Sequence, residues 1–551
     1  MDWLNYLVLA LYLAGLAAVA YFTRRRSRTI NDFLLAGSGM SGLMTAFAYG
    51  TTYFSAVIFI GYAGQNGFAY GLASLWIGIG NAVIGSLLAW AVLAKRTRRL
   101  THFTGARTMP ELFEKRYGSA HVKLVSSLLI FVFLVPYAAS VYQGLGYLFE
   151  LVFHIPFWSV VVIMAAVCAL YLFFGGYFAT VVSDFLQGII MLVGVVIMVG
   201  FVVNYETVGG LTEGFNRLLE DGLGFFPPVT KDGSAFGYNL LMLVLLTSVG
   251  VWGLPQIVHK FHTVRSEHAV RQAAWVSSGF ALVIGVGAYL VGCLARYIID
   301  AQSYVSAGEA DRIIPHILVE AMPAGLLGLI AVLVLSASMS TLSSLTLASS
   351  SAVAVDLYKG YIGKDASDAK VNMLMRFLCL FFIAVSVLIA ILQPAGIVEL
   401  MSLSWGTLAG CFLAPYIYGL YWRRTTKAGA YAGIAAGLAV TAVLYLLSRV
   451  LPSAAASFLT APAIGVFAMI AGAIAVPAVS AFTRPPEGTA ALFDAMGRKE
   501  EENPRRNAPA VGNSADAAII SGESNNADSG TVSEESNNAD SGTVSGAAEK
   551  A

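Results

Sequence analysis

Apolar residues run on for about twenty positions at a time along most of the chain, each run closed by a short polar or basic segment. This is the pattern of helices that cross ~30 Å of hydrocarbon, not of helices with a single apolar stripe. Thirteen such runs stand out: 3–22, 42–68, 73–94, 124–150, 157–174, 180–203, 237–258, 273–297, 322–352, 373–392, 396–421, 428–448 and 460–482. They predict an all-α, polytopic membrane domain over 1–483 with about 13 transmembrane helices. An odd number of crossings puts the termini on opposite sides. From 484 the pattern stops: the chain turns polar, and ESNNADSGTVS occurs at 523–533 and again at 535–545. No helical or strand period survives there, which predicts a disordered tail over 484–551.

The composition requires the bilayer as solvent, because 57% hydrophobic against 12% charged residues is more apolar surface than a soluble domain could bury. The first run lacks a basic leader, exceeds a signal-peptide core in length and is followed by Arg24, Arg25, Arg26 and Arg28, so it reads as a retained helix. With the N-terminus outside, all but five of the 33 Lys and Arg residues (Arg217, Lys231, Arg296, Arg312 and Arg449) fall in segments facing the cytoplasm. That bias predicts a plasma-membrane protein with a cytoplasmic C-terminus. A formal charge of +1, with basic residues only in short clusters, argues against a nucleic-acid partner. Cys168, Cys293, Cys379 and Cys411 lie inside apolar runs without metal-ligand spacing and read as buried thiols.

Candidate chemistry begins in the ninth run, where Ala337, Ser340, Thr341 and Ser344 share one helical face through the i+3, i+4 and i+7 relations. Hydroxyls and carbonyls suit a hard cation such as Na⁺ without burying fixed charge. The same face also suits close helix packing or bonds back to its own helix, and by itself it does not decide between them. The second run carries Gly50, Thr51, Thr52, Tyr53, Phe54 and Ser55 at mid-membrane, a poor sequence for unbroken helix. A break there would free carbonyl oxygens, as in transporters built from inverted repeats, and a matching break is expected one half-repeat later. Gly250, Trp252, Gly253, Pro255 and Gln256 interrupt the seventh run, either as such a break or as a proline kink. Asp184 stands inside the start of the sixth run, where a carboxylate needs a partner or water, unless it is an interfacial acid. Gln143 and Trp405 face either a cavity or a neighbouring helix.

At these motifs the chain resembles the sodium:solute symporter family over roughly 1–480. The resemblance is carried by GGYFATVVSDFLQG around Asp184, by SASMSTLSS at 336–344 with AVAVDLYK at 352–359, and by the 50–55 segment. It implies a 5+5 inverted-repeat core over about 42–421 with broken helices, one helix before it and two after. It also implies a main sodium site of the Thr51, Phe54 and Ala337 carbonyls with the Ser340 and Thr341 hydroxyls, and a second sodium at Asp184, Ser343 and Ser344. The solute pocket would take Thr52, Tyr53, Ser55, Gln143, Trp252, Gly253, Pro255 and Gln256. Proline transporters of the family carry an acid where this chain has Tyr53, and their aromatic pattern before the proline is replaced by Thr247 and Val251. Gly253 to Ile257 is closer to monocarboxylate-type members.

The expected function is therefore Na⁺-coupled symport of a small organic solute, a monocarboxylate, amino acid or similar compound, into the cell. The alternatives are a sodium/proline-type amino acid symporter, or a channel or solute receptor on the same scaffold. An enzyme is not expected, because the chain has no HExxH, no paired intramembrane aspartates and no nucleophile elbow.

Overall fold

The computed structural model describes residues 3–23, 30–35, 39–229 and 235–497. No β-strand occurs among them, only an isolated bridge between Met40 and Val264. The long helices are α1 (Trp3–Thr23), α2 (Gly42–Tyr53), α3 (Val57–Thr104), α4 (Ala120–Phe153), α5 (Phe157–Val203), α6 (Phe236–Val249), α7 (Pro255–Thr263), α8 (Glu267–Leu294), α9 (Ala324–Ser351), α10 (Asp368–Leu392), α11 (Ile397–Tyr421), α12 (Lys427–Val450) and α13 (Ala461–Ala481). Short polar caps start several of them: the hydroxyls of Ser41, Ser266 and Thr426 accept from the amides of Met44, Ala269 and Gly429.

Eleven helical segments among the described residues are long and apolar enough to cross a bilayer, against thirteen expected. The difference falls on 57–104 and 157–203, where two expected runs continue as one segment through a glycine. A 47-residue helix would extend about 70 Å, more than twice the hydrocarbon thickness. Gly176, at φ 61° and ψ −167°, interrupts α5 in a conformation open to glycine, and Gly71, at φ 56°, does the same in α3.

Burial separates inner from outer helices. Every residue of α2 from Thr45 to Tyr53 is buried, whereas α1 buries only Asn5, Leu16, Ala20 and Thr23. Exposed Leu11, Phe22, Phe377, Leu388 and Leu446 on α1, α10 and α12 are the surface a lipid solvent requires. Along one seam α8 meets α3 backbone to backbone. A Cβ on Gly78 would stand 2.7 Å from the Gly285 carbonyl carbon, one on Gly67 2.6 Å from that of Gly292, and one on Gly292 would overlap the Ala63 carbonyl oxygen.

The basic segments gather at one end of the bundle. Arg98 donates to the carbonyls of Val264 and Arg265, Arg116 to those of Gly419 and Trp422, and Arg99 pairs with Glu267. At the other end lie the pairs Arg312–Glu150 and Arg449–Glu399. The polar stretch expected from 484 begins with order: Thr489–Gly497 is a helix whose Phe493 lies under the guanidinium groups of Arg116 and Arg423. Residues 498–551, with the repeated segment, lie outside the described residues, as do Arg24 to Arg28.

Candidate functional site

The expected break in the second run is present. α2 ends at Tyr53, and Phe54 takes an extended conformation (φ −107°, ψ 119°). The last helical amide bond runs from Phe54 N to Gly50 O, and the Ala56 amide turns to the Ser338 hydroxyl at 3.2 Å. The Thr52 carbonyl therefore loses its helical donor. Into this gap α9 projects Thr341, whose Oγ1 lies 3.3 Å from Thr51 O, 3.2 Å from Thr52 O and 3.1 Å from Ala337 O. Ser340 Oγ donates to Thr51 Oγ1 at 2.8 Å, and Thr51 Oγ1 donates in turn to Phe47 O.

Thr341 has one hydroxyl hydrogen for three carbonyls, so the cluster holds more lone pairs than donors. That excess of uncharged oxygen is what a desolvated alkali cation needs. Thr51, Ala337, Ser340 and Thr341 are thus brought together as expected, and Phe54 stands at the point where the chain leaves the helix.

The other half of the pair is also broken. α6 gives way to a 3₁₀ turn, Gly250–Gly253, then to extended Leu254, and α7 begins at Pro255, whose missing amide hydrogen costs nothing at a helix start. Tyr53 OH donates to Thr247 O at 2.6 Å and ties the two broken helices together. Trp252 Nε1 donates to Ile84 O at 3.0 Å, and Gly253 lies against α11 so closely that a Cβ would stand 3.0 Å from Leu413 N. Ser55 Oγ accepts from Val57 N, and Gln143 Nε2 donates to Ala395 O at 3.3 Å. The recorded bonds of Gln143 and Trp252 thus lead to different elements and do not join the two residues. Gln256 lines a cavity of about 10 Å³, room for one water, with Tyr177, His259 and Ser344.

Around Tyr53 the buried polar groups are left open. Trp405 lies 6.1 Å from its ring and Tyr137 5.6 Å from Trp405, centroid to centroid. Among the described residues neither Tyr137 OH nor Trp405 Nε1 makes a well-formed hydrogen bond, and further along α4 Gln143 Oε1 makes none. Buried groups of this kind are normally satisfied.

The Asp184 neighbourhood holds a residue that sequence reasoning missed. Lys260, on α7, is fully buried with Nζ 3.8 Å from Asp184 Oδ2 and 3.0 Å from Ser344 Oγ. Ser344 Oγ also lies 3.0 Å from Thr52 Oγ1, whereas Ser343 Oγ donates back to Met339 O. Lys260 was hidden because 259–271 reads as a basic loop. The signal that could have found it is its i+4 spacing from Gln256 on the short helix after Pro255.

The family model described as "Sodium:solute symporter family" matches residues 33–437. The chain belongs to that family. Among curated relatives, the osmoregulated proline transporter OpuE of Bacillus subtilis is 28% identical over 494 residues, covering 89% of this chain and 97% of that protein. A sodium/proline symporter of Haemophilus influenzae is 29% identical over 439 residues, covering 78% and 85%. Among solved structures, a Na⁺-coupled sialic acid symporter in a substrate-bound outward-open state superposes with a TM-score of 0.74 at 20% identity, over 88% of this chain and 98% of that one. Mhp1, a nucleobase-cation-symport-1 family transporter, gives 0.51 at 16% identity, over 85% and 99%. At those identities the likeness is one of fold.

Membership makes this symporter-family chain a multi-pass transporter with sodium as its coupling ion and a small solute as its cargo. The oxygens between α2 and α9 and the open polar groups around Trp405 are two separate sets of buried polar atoms.

Proposed function

We propose that the protein couples the inward flow of Na⁺ to the uptake of a small organic solute, with the ion held by Thr51, Phe54, Ala337, Ser340 and Thr341. The carrying observation is the convergence of three backbone carbonyls on the Thr341 hydroxyl across the broken end of α2. A cation there joins α2 to α9. It favours whichever arrangement of the bundle keeps those oxygens together, so ion and solute help each other through differential affinity between states.

The solute meets Tyr53 together with the Tyr137 O–H, the Trp405 N–H and the Gln143 C=O, open polar groups that suit a compact polar molecule with an apolar body. Thr52, Ser55, Trp252, Gly253, Pro255 and Gln256 form the two breaks that bound this region. Because the curated relatives are named as proline transporters, L-proline is the first solute to test. Tyr53, standing where the resemblance to proline transporters leads one to expect an acid, makes short monocarboxylates the second.

The crowding of Arg98, Arg99, Arg116 and Arg423 at one end of the bundle supports an orientation with that end, and the C-terminus, in the cytoplasm of a cell whose plasma membrane holds the protein. One charge moving through ~150 mV supplies about 3.5 kcal/mol, and a ~10-fold Na⁺ gradient about 1.4 more, so one ion sustains roughly a few-thousandfold solute gradient.

The test is solute accumulation in proteoliposomes under an imposed Na⁺ gradient, with choline replacing Na⁺ at fixed pH. Accumulation above equilibrium that disappears in choline is expected. Equilibration without accumulation would instead mean a channel, and undiminished uptake in choline would discard sodium coupling.

A further inference from the structure

Asp184 and Lys260 are opposite charges with no access to water. Both side chains are fully buried, and the Asp184 carboxyl has the Ser340 hydroxyl and the Lys260 ammonium as its polar neighbours. The ammonium does have partners: Ser344 Oγ at 3.0 Å, Asp184 Oδ2 at 3.8 Å and the Tyr177 ring, its centroid 5.2 Å away. The hydroxyl and the carboxylate are two of the three groups from which the resemblance composes a second sodium site. The third, Ser343, spends its hydrogen on Met339 O.

We infer that Lys260 is a tethered cation standing in for a second sodium, so that this transporter binds one Na⁺ per chain. The inference rests on the sodium-coupled reading of the Thr341 cluster.

The pocket offers a single negative charge, and the ammonium already balances it. A Na⁺ sharing Asp184 and Ser344 would leave one uncompensated positive charge in hydrocarbon beside another cation, which is costly at any buried site. The ammonium also makes the connections an ion would make. It joins α5 through Asp184 and α9 through Ser344, and Ser344 Oγ reaches Thr52 Oγ1 of the broken helix α2 at 3.0 Å. A second coupled ion is therefore replaced by a permanent covalent one, and the solute gradient scales with one sodium.

The experiment is equilibrium binding of radioactive sodium to the purified full-length protein, alongside Lys260→Ala, Lys260→Arg and the double variant Asp184→Asn/Lys260→Ala. One bound ion is expected for the wild type and for Lys260→Arg. Two are expected for Lys260→Ala, where Asp184 and Ser344 become free to take a cation, and one again for the double variant. Two ions on the wild type, or one on a monodisperse Lys260→Ala, would overturn the inference while leaving sodium coupling intact. Should Lys260→Ala not fold, Lys260→Gln takes its place with the same two ions expected, and two ions on the wild type or Lys260→Arg still overturn the inference. No bound ion on the wild type is a different result and would sink the sodium-coupled reading itself.

Discussion

Replacing Thr341 by alanine removes one oxygen from the centre of the proposed ion site, together with one methyl group. Its Oγ1 lies 3.1–3.3 Å from three carbonyls, so the lost atom is one that both faces the ion and keeps the Thr51 and Thr52 carbonyls turned towards it. A hydrogen-bonding contact to a charged group contributes about 1.5–3 kcal/mol, and 1.4 kcal/mol is a factor of ten in affinity. The Na⁺ concentration for half-maximal uptake should therefore rise roughly 10- to 150-fold. Thr341→Ser keeps the oxygen and loses a methyl group, about 0.8 kcal/mol of buried apolar surface. It should melt a little lower yet need nearly the same Na⁺ as the wild type. The assay is initial uptake into proteoliposomes across a Na⁺ series, with the melting temperature of each variant recorded with and without Na⁺. If Thr341→Ala and Thr341→Ser need the same Na⁺ as the wild type, the hydroxyl face is packing and the site is elsewhere.

Other perturbations separate the ion site from the solute site and from the scaffold. Tyr53→Phe cuts the bond to Thr247 O that joins the two broken helices; solute half-saturation should rise about 5- to 10-fold, for ~1–1.5 kcal/mol, with the Na⁺ requirement nearly unchanged in the same uptake assay. Gly292→Ala forces a Cβ onto the Ala63 carbonyl oxygen and should destabilise the fold by ~2 kcal/mol or more, read as a lower melting temperature and reduced monodisperse yield. Arg116→Ala takes its guanidinium donor from the Gly419 carbonyl and one of several donors from the Trp422 carbonyl at the end of α11, a loss of ~2–4 kcal/mol by the same measurement. Arg116→Lys should recover little, because an ammonium cannot span carbonyls that the planar guanidinium reaches together.

What the chain declared in advance depended on how local the signal was. The apolar runs and the hydroxyl face of 337, 340, 341 and 344 are properties of one helix, and both were legible. The break at Phe54 was legible too, because Gly50, Thr51 and Thr52 are weak helix formers next to one another. The way neighbouring runs join was not, since at Gly71 and Gly176 the backbone leaves helical geometry while helical bonding continues on either side. Lys260 escaped for another reason: its partner Ser344 lies 84 residues away, and no period in the sequence reports such a meeting. A lysine between apolar runs reads as a water-facing charge until the fold covers it.

The glycine seam between α3 and α8 carries a mechanical consequence. Side chains that interlock act as teeth and resist sliding, but where Gly67 and Gly78 face Gly292 and Gly285 two smooth backbones touch. Pulling them apart forfeits close contact along the whole line, whereas a small axial slip keeps most of it. Sliding along this joint therefore costs less than opening it.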